Sequence, residues 1–217
     1  MSNGRVFIVE SPNPLDLLEG RSERLSLEQV CRLVGHDPAT FLVRDLVELK
    51  QTFGYISAIK RDKADETPLF IHISAHGNET GIAIGADSVS WDTLAKIVQE
   101  MYTRLRFYHG PIIVILSACG ANKQTMTAAL AKKVVSAVKP FVPPEYVFVS
   151  SQDVVKWSDA VVAWTIFYRQ VMKISFTDRT AVQDLLNRLH NSGFGDLIYF
   201  RWDGSSKKYK RYQPKDN

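Results

Sequence analysis

Short, almost wholly apolar runs alternate along this chain with longer stretches whose apolar residues recur every three or four positions. The short runs predict strands at Arg5–Val9, Thr40–Val43, Leu69–Ala75, Pro111–Ala118, Tyr146–Ser150 and Asp196–Trp202. The longer stretches predict helices at Leu25–Leu33, Asp45–Ile59, Ser90–Leu105, Lys123–Val138, Ser158–Met172 and Arg179–His190. Leu94, Ile97, Val98, Met101 and Leu105, for example, fall on one helical stripe. Asp92 and Ser158 stand near helix starts, where short polar side chains cap free N–H groups, and Asn191-Ser192-Gly193 reads as a helix stop. Strands that are apolar on both faces and alternate with helices predict a mostly parallel six-stranded sheet covered on each side, a three-layer α/β/α sandwich. The two prominent loops, Ser11–Arg24 and the charged Lys60–Thr67, are too short to divide the chain, so residues 1–217 are expected to form one domain.

Composition agrees with this picture and changes it little. With 217 residues, 45% apolar and 23% charged, the chain matches a soluble globular protein that needs no disulfide or metal staple. The formal charge of +4 is local: Lys207, Lys208, Lys210 and Arg211 account for all of the excess. They read as a solvated basic tail from about residue 205, and no nucleic-acid partner is expected. The two cysteines make no disulfide framework, and Cys31, in an amphipathic run, reads as a small core residue. Thiol chemistry suits the reducing cytoplasm. The apolar run Val6–Val9 is too short for a secretory signal, and no stretch approaches the ~20 apolar residues that span a bilayer. Dinucleotide, Walker, zinc-helix and nucleophile-elbow motifs are missing from the sequence, so no cofactor or metal is expected.

Candidate chemistry lies at two strand ends. Phe70-Ile71-His72-Ile73-Ser74-Ala75 runs into His76-Gly77, and Ile112-Ile113-Val114-Ile115-Leu116-Ser117-Ala118 runs into Cys119-Gly120. Open α/β sheets bind ligands outside the carboxyl ends of their strands, so an imidazole and a thiol placed there form a minimal nucleophilic pair. The separation of 43 residues leaves room for one crossover helix. Cys119 at a strand-to-helix turn faces the positive end of the helix dipole, which favours a thiolate. Gly77 allows close backbone approach, and its N–H with that of Cys119 suits an oxyanion. Four residues of strand put His72 about 13 Å from His76, too far to share a metal, so His72 reads as a core residue. His36 and His109 fall in loops, and His190 meets a helix C-terminus.

His76-Gly77 with Gly81, Ile82-Ala83-Ile84-Gly85, Ser90-Trp91-Asp92-Thr93-Leu94 and then Ser117-Ala118-Cys119 resembles the bacterial CHAT and caspase-like cysteine peptidases of clan CD. The match spans roughly residues 70–160. The resemblance implies that Cys119 is the nucleophile, that His76 is the general base and acid, and that the N–H groups of Gly77 and Cys119 form the oxyanion hole. It also implies that a backbone carbonyl, from Ser11–Pro14, orients the histidine. Ser117 stands where metacaspases carry Asp and caspases carry Gln, so no preference transfers from that position. The segment Gln152–Asp159 resembles a pocket-forming loop, which makes Trp157, Asp153 and Asp159 substrate-binding candidates beside Ser117. Either aspartate would accept Lys or Arg before the scissile bond, unless it merely opens a helix; Arg21 or Arg24 would accept an acidic side chain instead. Protein substrates, a small-molecule or protein activator, self-association and a place in bacterial antiviral defence follow from the same resemblance. Two other readings stand beside it. A class I glutamine amidotransferase requires a distal His-x-Glu, which the chain lacks, and a degenerate binding module is at odds with the intact Cys and His.

Overall fold

The structure is a computed structural model and describes residues 4–59, 67–105, 108–137, 141–193 and 196–215. In chain order the elements are β1 (Arg5–Ser11), α1 (Pro14–Leu18), α2 (Glu23–Leu33), β2 (Asp37–Leu42), α3 (Leu46–Ser57) and β3 (Leu69–Ala75). A hairpin sheet of β4 (Gly77–Asn78), β5 (Gly81–Ile84) and β6 (Asp87–Ser90) comes next. Then follow α4 (Trp91–Arg104), β7 (Ile112–Ser117), a 3-10 turn (Ala121–Lys123), α5 (Thr125–Ser136), β8 (Tyr146–Ser150), α6 (Trp157–Val171), α7 (Arg179–Asn191), β9 (Leu197–Asp203) and β10 (Lys208–Tyr212).

The main sheet has the order β10-β9-β8-β7-β3-β1-β2, with β2, β1, β3, β7 and β8 parallel, β9 antiparallel to β8, and β10 antiparallel to β9. Period-two alternation sorts its side chains into two cores. Phe7, Val9, Ile71, Ile73, Val114, Leu116 and Val147 pack under α3, α4 and α5. Val6, Ile8, Phe70, Ile113, Ile115, Tyr146 and Phe148 pack under α2, α6 and α7. The result is the α/β/α sandwich that the apolar runs predict. No helix among the described residues is long and apolar enough to cross a membrane.

Several local expectations are corrected. The sheet has seven strands rather than six, because the supposed basic tail contributes β10, paired antiparallel to β9. Tyr209 is buried, and its hydroxyl donates to the Pro144 carbonyl at 2.7 Å. Lys208 and Lys210 alternate with it on the exposed side, a device that also protects an edge strand from further pairing. The loop after β1 contains a helix, α1, and α2 begins at Glu23 rather than Leu25. The α4 cap is Ser90, with Asp92 inside the first turn, and α6 starts at Trp157 without a side-chain cap. The stretch Lys123–Val138 splits: left-handed Gln124 separates the 3-10 turn from α5, so the α-helix starts at Thr125, well past Cys119. Residue 138 and residues 60–66 of the charged connection lie outside the described residues.

Candidate active site

From β1 the chain crosses to β2 on one side and returns to β3 on the other, so the strand order reverses between β1 and β3. Such a reversal opens a crevice at the carboxyl ends of the strands. The β3–β7 register pairs Ser74 with Ser117. His76 and Cys119 each lie two residues beyond that pair, so the shared register carries both to one end of the sheet. Glycines bring the two turns into contact. A Cβ on Gly77 would fall 2.6 Å from the Cys119 carbonyl oxygen, and one on Gly120, at φ +74°, would fall 2.3 Å from the Asn78 backbone. Neither approach tolerates a side chain. His76 and Cys119 thereby line one cleft of about 220 Å³ with Asp16, Glu23, Ser117 and Trp157.

The histidine is held from the loop after β1, by a group other than the one expected. Its Nε2 lies 2.5 Å from Asp16 Oδ2. The same nitrogen lies 3.2 Å from Asn13 Nδ2. A carboxylate accepts and cannot donate, so the tautomer with its hydrogen on Nε2 is the one that suits Asp16. Asp16 is buried within a capping box: its backbone N–H donates to Asn13 Oδ1 at 2.9 Å, and its Oδ2 accepts the Asn13 N–H at 3.2 Å. A five-residue helix opening on Asn13-Pro14 is thus built to present this carboxylate. The orienting group is the Asp16 side chain rather than a backbone carbonyl of Ser11–Pro14. The Trp157 ring meets the His76 ring edge-on at 5.8 Å.

Cys119 is partly buried, and its Sγ accepts the Val155 N–H at 3.3 Å. Asp153 and Asp159 do not line this cleft. Asp153 pins the loop from outside. Lys123 pairs with it at 2.8 Å, Asn122 donates to it at 2.8 Å, and these bonds, that of Lys123 foremost, hold its carboxyl below the usual range. Asp159 is exposed in the first turn of α6 and accepts the Ser158 hydroxyl. Arg21 stands at the rim, paired with Glu19 and 3.7 Å from Asp16. Arg24 turns away to Glu10 and Thr40.

Beneath the cleft lies a set of buried polar groups that the apolar pattern conceals. Glu10, at the end of β1, accepts the Ser22 hydroxyl at 2.6 Å, the Glu23 N–H at 2.6 Å and the Arg24 N–H at 3.2 Å. Burial raises its pKa, and these three hydrogen bonds work against that shift. Glu10 therefore anchors the start of α2 and fixes Glu23, which is only 2% exposed. Glu23 Oε1 accepts the Ser117 hydroxyl at 2.7 Å, and Ser117 accepts the Trp164 indole N–H at 2.9 Å. Glu23 Oε2 lies 3.0 Å from His72 Nε2, and His72 Nδ1 lies 3.0 Å from the Tyr168 hydroxyl. His72 is the satisfied core residue that its strand position predicts. His36, placed by the sequence in a loop, is buried against Phe70 and Tyr168 with Nε2 on the Tyr168 carbonyl. His190 pairs with Asp196, outside the cleft. Among the described residues no group of three or more His, Cys, Asp or Glu is placed to hold a metal ion.

No protein-family model matches the sequence, and no curated protein matches it. Among solved structures the chain is similar to the crystal structure of caspase-1 from Spodoptera frugiperda, with a TM-score of 0.53 at 12% identity over 85% of this chain and 77% of that one. The likeness is one of fold: the sandwich is caspase-like.

Proposed function

We propose that the protein is a cysteine endopeptidase in which Cys119 is the nucleophile and His76 the general base and acid. The observation that carries this reading is their common cleft, with the imidazole held at Nε2 by the buried Asp16 carboxylate. With Nε2–H committed to Asp16, Nδ1 takes the Cys119 proton, and Sγ attacks the carbonyl carbon of the scissile bond. The C–N bond breaks as Nδ1–H protonates the leaving amine, which leaves a thioester on Cys119. Water, deprotonated by the same nitrogen, adds to the thioester; the acid product leaves and the thiol is restored.

The oxyanion of each addition meets the N–H groups of Gly77 and Cys119. The His76 carbonyl accepts the Ala83 N–H, so the next pair, Gly77 and Ile82, is a non-bonded one. The Gly77 N–H therefore points away from β5, which suits this role. Trp157 and Ser117, on the same cleft, contact the substrate. An activating ligand, protein partner or second copy raises a basal rate by setting the loops 11–24 and 152–159, since Val155 already touches the sulfur. A protease effector of a defence system is the setting this reading fits.

Profiling purified protein against a peptide library tests the reading. Hydrolysis is expected, with Cys119→Ala and His76→Ala each lowering kcat/KM at least 10³-fold, and the double variant little lower because the pair acts as one unit. Undiminished turnover by Cys119→Ala overturns it.

A further inference from the structure

We infer that Glu23 is the specificity-determining residue of this cleft and receives the Lys or Arg side chain that precedes the scissile bond, an inference that rests on the peptidase reading. Glu23 lines the same cleft as Cys119 and His76 yet is almost wholly buried, so it forms the floor. Its hydrogen bonds have a fixed direction. The Trp164 indole can only donate, so Ser117 Oγ accepts from it and turns its own hydrogen to Glu23 Oε1. On the other side every group is satisfied when the Tyr168 hydroxyl donates to His72 Nδ1 and His72 Nε2–H donates to Glu23 Oε2. In that arrangement both arms converge on the two oxygens of one carboxyl group.

Beyond His72, which lies 3.0 Å from Oε2, Glu23 has no basic side chain of its own among the described residues. Among the described residues no lysine or arginine pairs with Glu23: Arg24 is drawn to Glu10, and Arg21 to Glu19 and Asp16. A buried carboxylate is most favourably completed by a cation that enters the same low-dielectric space. The cleft suits such a guest. Its volume of about 220 Å³ is below that of small-molecule sites but fits one side chain. Ala75, Ala118, Ala160, Val154 and Trp157 give it apolar walls for an aliphatic stem. Each carboxylate oxygen keeps room for a further donor, which an ammonium or a guanidinium fork supplies.

Three peptidyl chloromethyl ketones, which lose chloride as they alkylate a thiolate and are matched except for Lys, norleucine or Asp at the position before the reactive group, test this on the whole chain. The rate of Cys119 modification is expected to be at least 100-fold faster with Lys than with norleucine, and slowest with Asp. Glu23→Gln should bring the Lys rate down to the norleucine rate of the same variant, and its melting curve reports whether the variant still folds. If Glu23→Gln fails to fold, the Lys-to-norleucine ratio of the unaltered protein decides alone. Equal rates for the three ketones, or fastest modification by Asp, overturn the assignment of Glu23 and leave the peptidase reading standing. No modification of Cys119 by any of them overturns both.

Discussion

His72, inside β3, and His76, one residue past its end, each set Nε2 against a carboxylate from the segment after β1. One is sealed in the core and the other lines the cleft beside Cys119. His72 is fully buried under α6, with Trp164 edge-on at 5.4 Å, and both of its ring nitrogens are used. His76 has passed the end of the sheet, its side chain is 44% exposed, and its hydrogen bonds to Asp16 and Asn13 both fall on Nε2. The comparison teaches that a carboxylate partner does not by itself make a histidine reactive. What matters is whether the second nitrogen is committed, and here the edge of the helical layer decides that.

The pair can be broken from either side. His72→Ala has the largest expected effect on stability. It strands the Glu23 carboxylate and the Tyr168 hydroxyl in the core, at a cost of about 3 kcal/mol, or roughly 10 °C in melting temperature for a chain of this size. An unchanged melting curve would show that the buried arms are not coupled as described. Asp16→Asn acts on the other histidine. It should lower kcat by about 10²-fold with little change in KM, because the amide no longer enforces one imidazole tautomer. A loss confined to KM would reassign Asp16 to substrate binding. Smallest is Tyr168→Phe, which leaves His72 Nδ1 without its donor: about 1 kcal/mol of stability is lost, and turnover of the folded protein is unaltered.

How much of this was legible from residues alone varies along the chain. His76, Gly77 and Cys119 end clear apolar strands, and Ser117 and Trp157 from the same motifs do line the cleft. Asp16 was hidden in a charged, proline-containing loop, because a five-residue helix is too short to show a period, and Glu23 opens α2 ahead of its first apolar residue, Leu25. Their burial depends on partners far away in sequence, such as Ser117 for Glu23 and His76 for Asp16. One local signal was available: Asn13-Pro14-Leu15-Asp16 has the cap, first-turn proline and third-position acid of a capping box. Asp153 and Asp159 misled because an acidic side chain beside a pocket loop reads alike whether it faces the cleft or, as with Asp153, ties the loop down from behind. The last strand was obscured by its basic residues, whose exposed positions mask the inward Tyr209.

The central claim is that the reactive thiol is the one at the mouth, beside His76. The chain offers its own control, since Cys31 is fully buried and burial pushes its thiol up to about 12. The most direct measurement is intact-mass and peptide-mapping analysis after brief exposure to a lysyl peptidyl chloromethyl ketone, in unaltered protein and in His76→Ala. A single adduct on Cys119, at least 10²-fold slower to form in His76→Ala and absent from Cys31, is predicted. Modification of Cys119 at the same rate with and without His76, or modification of Cys31 instead, would contradict the account.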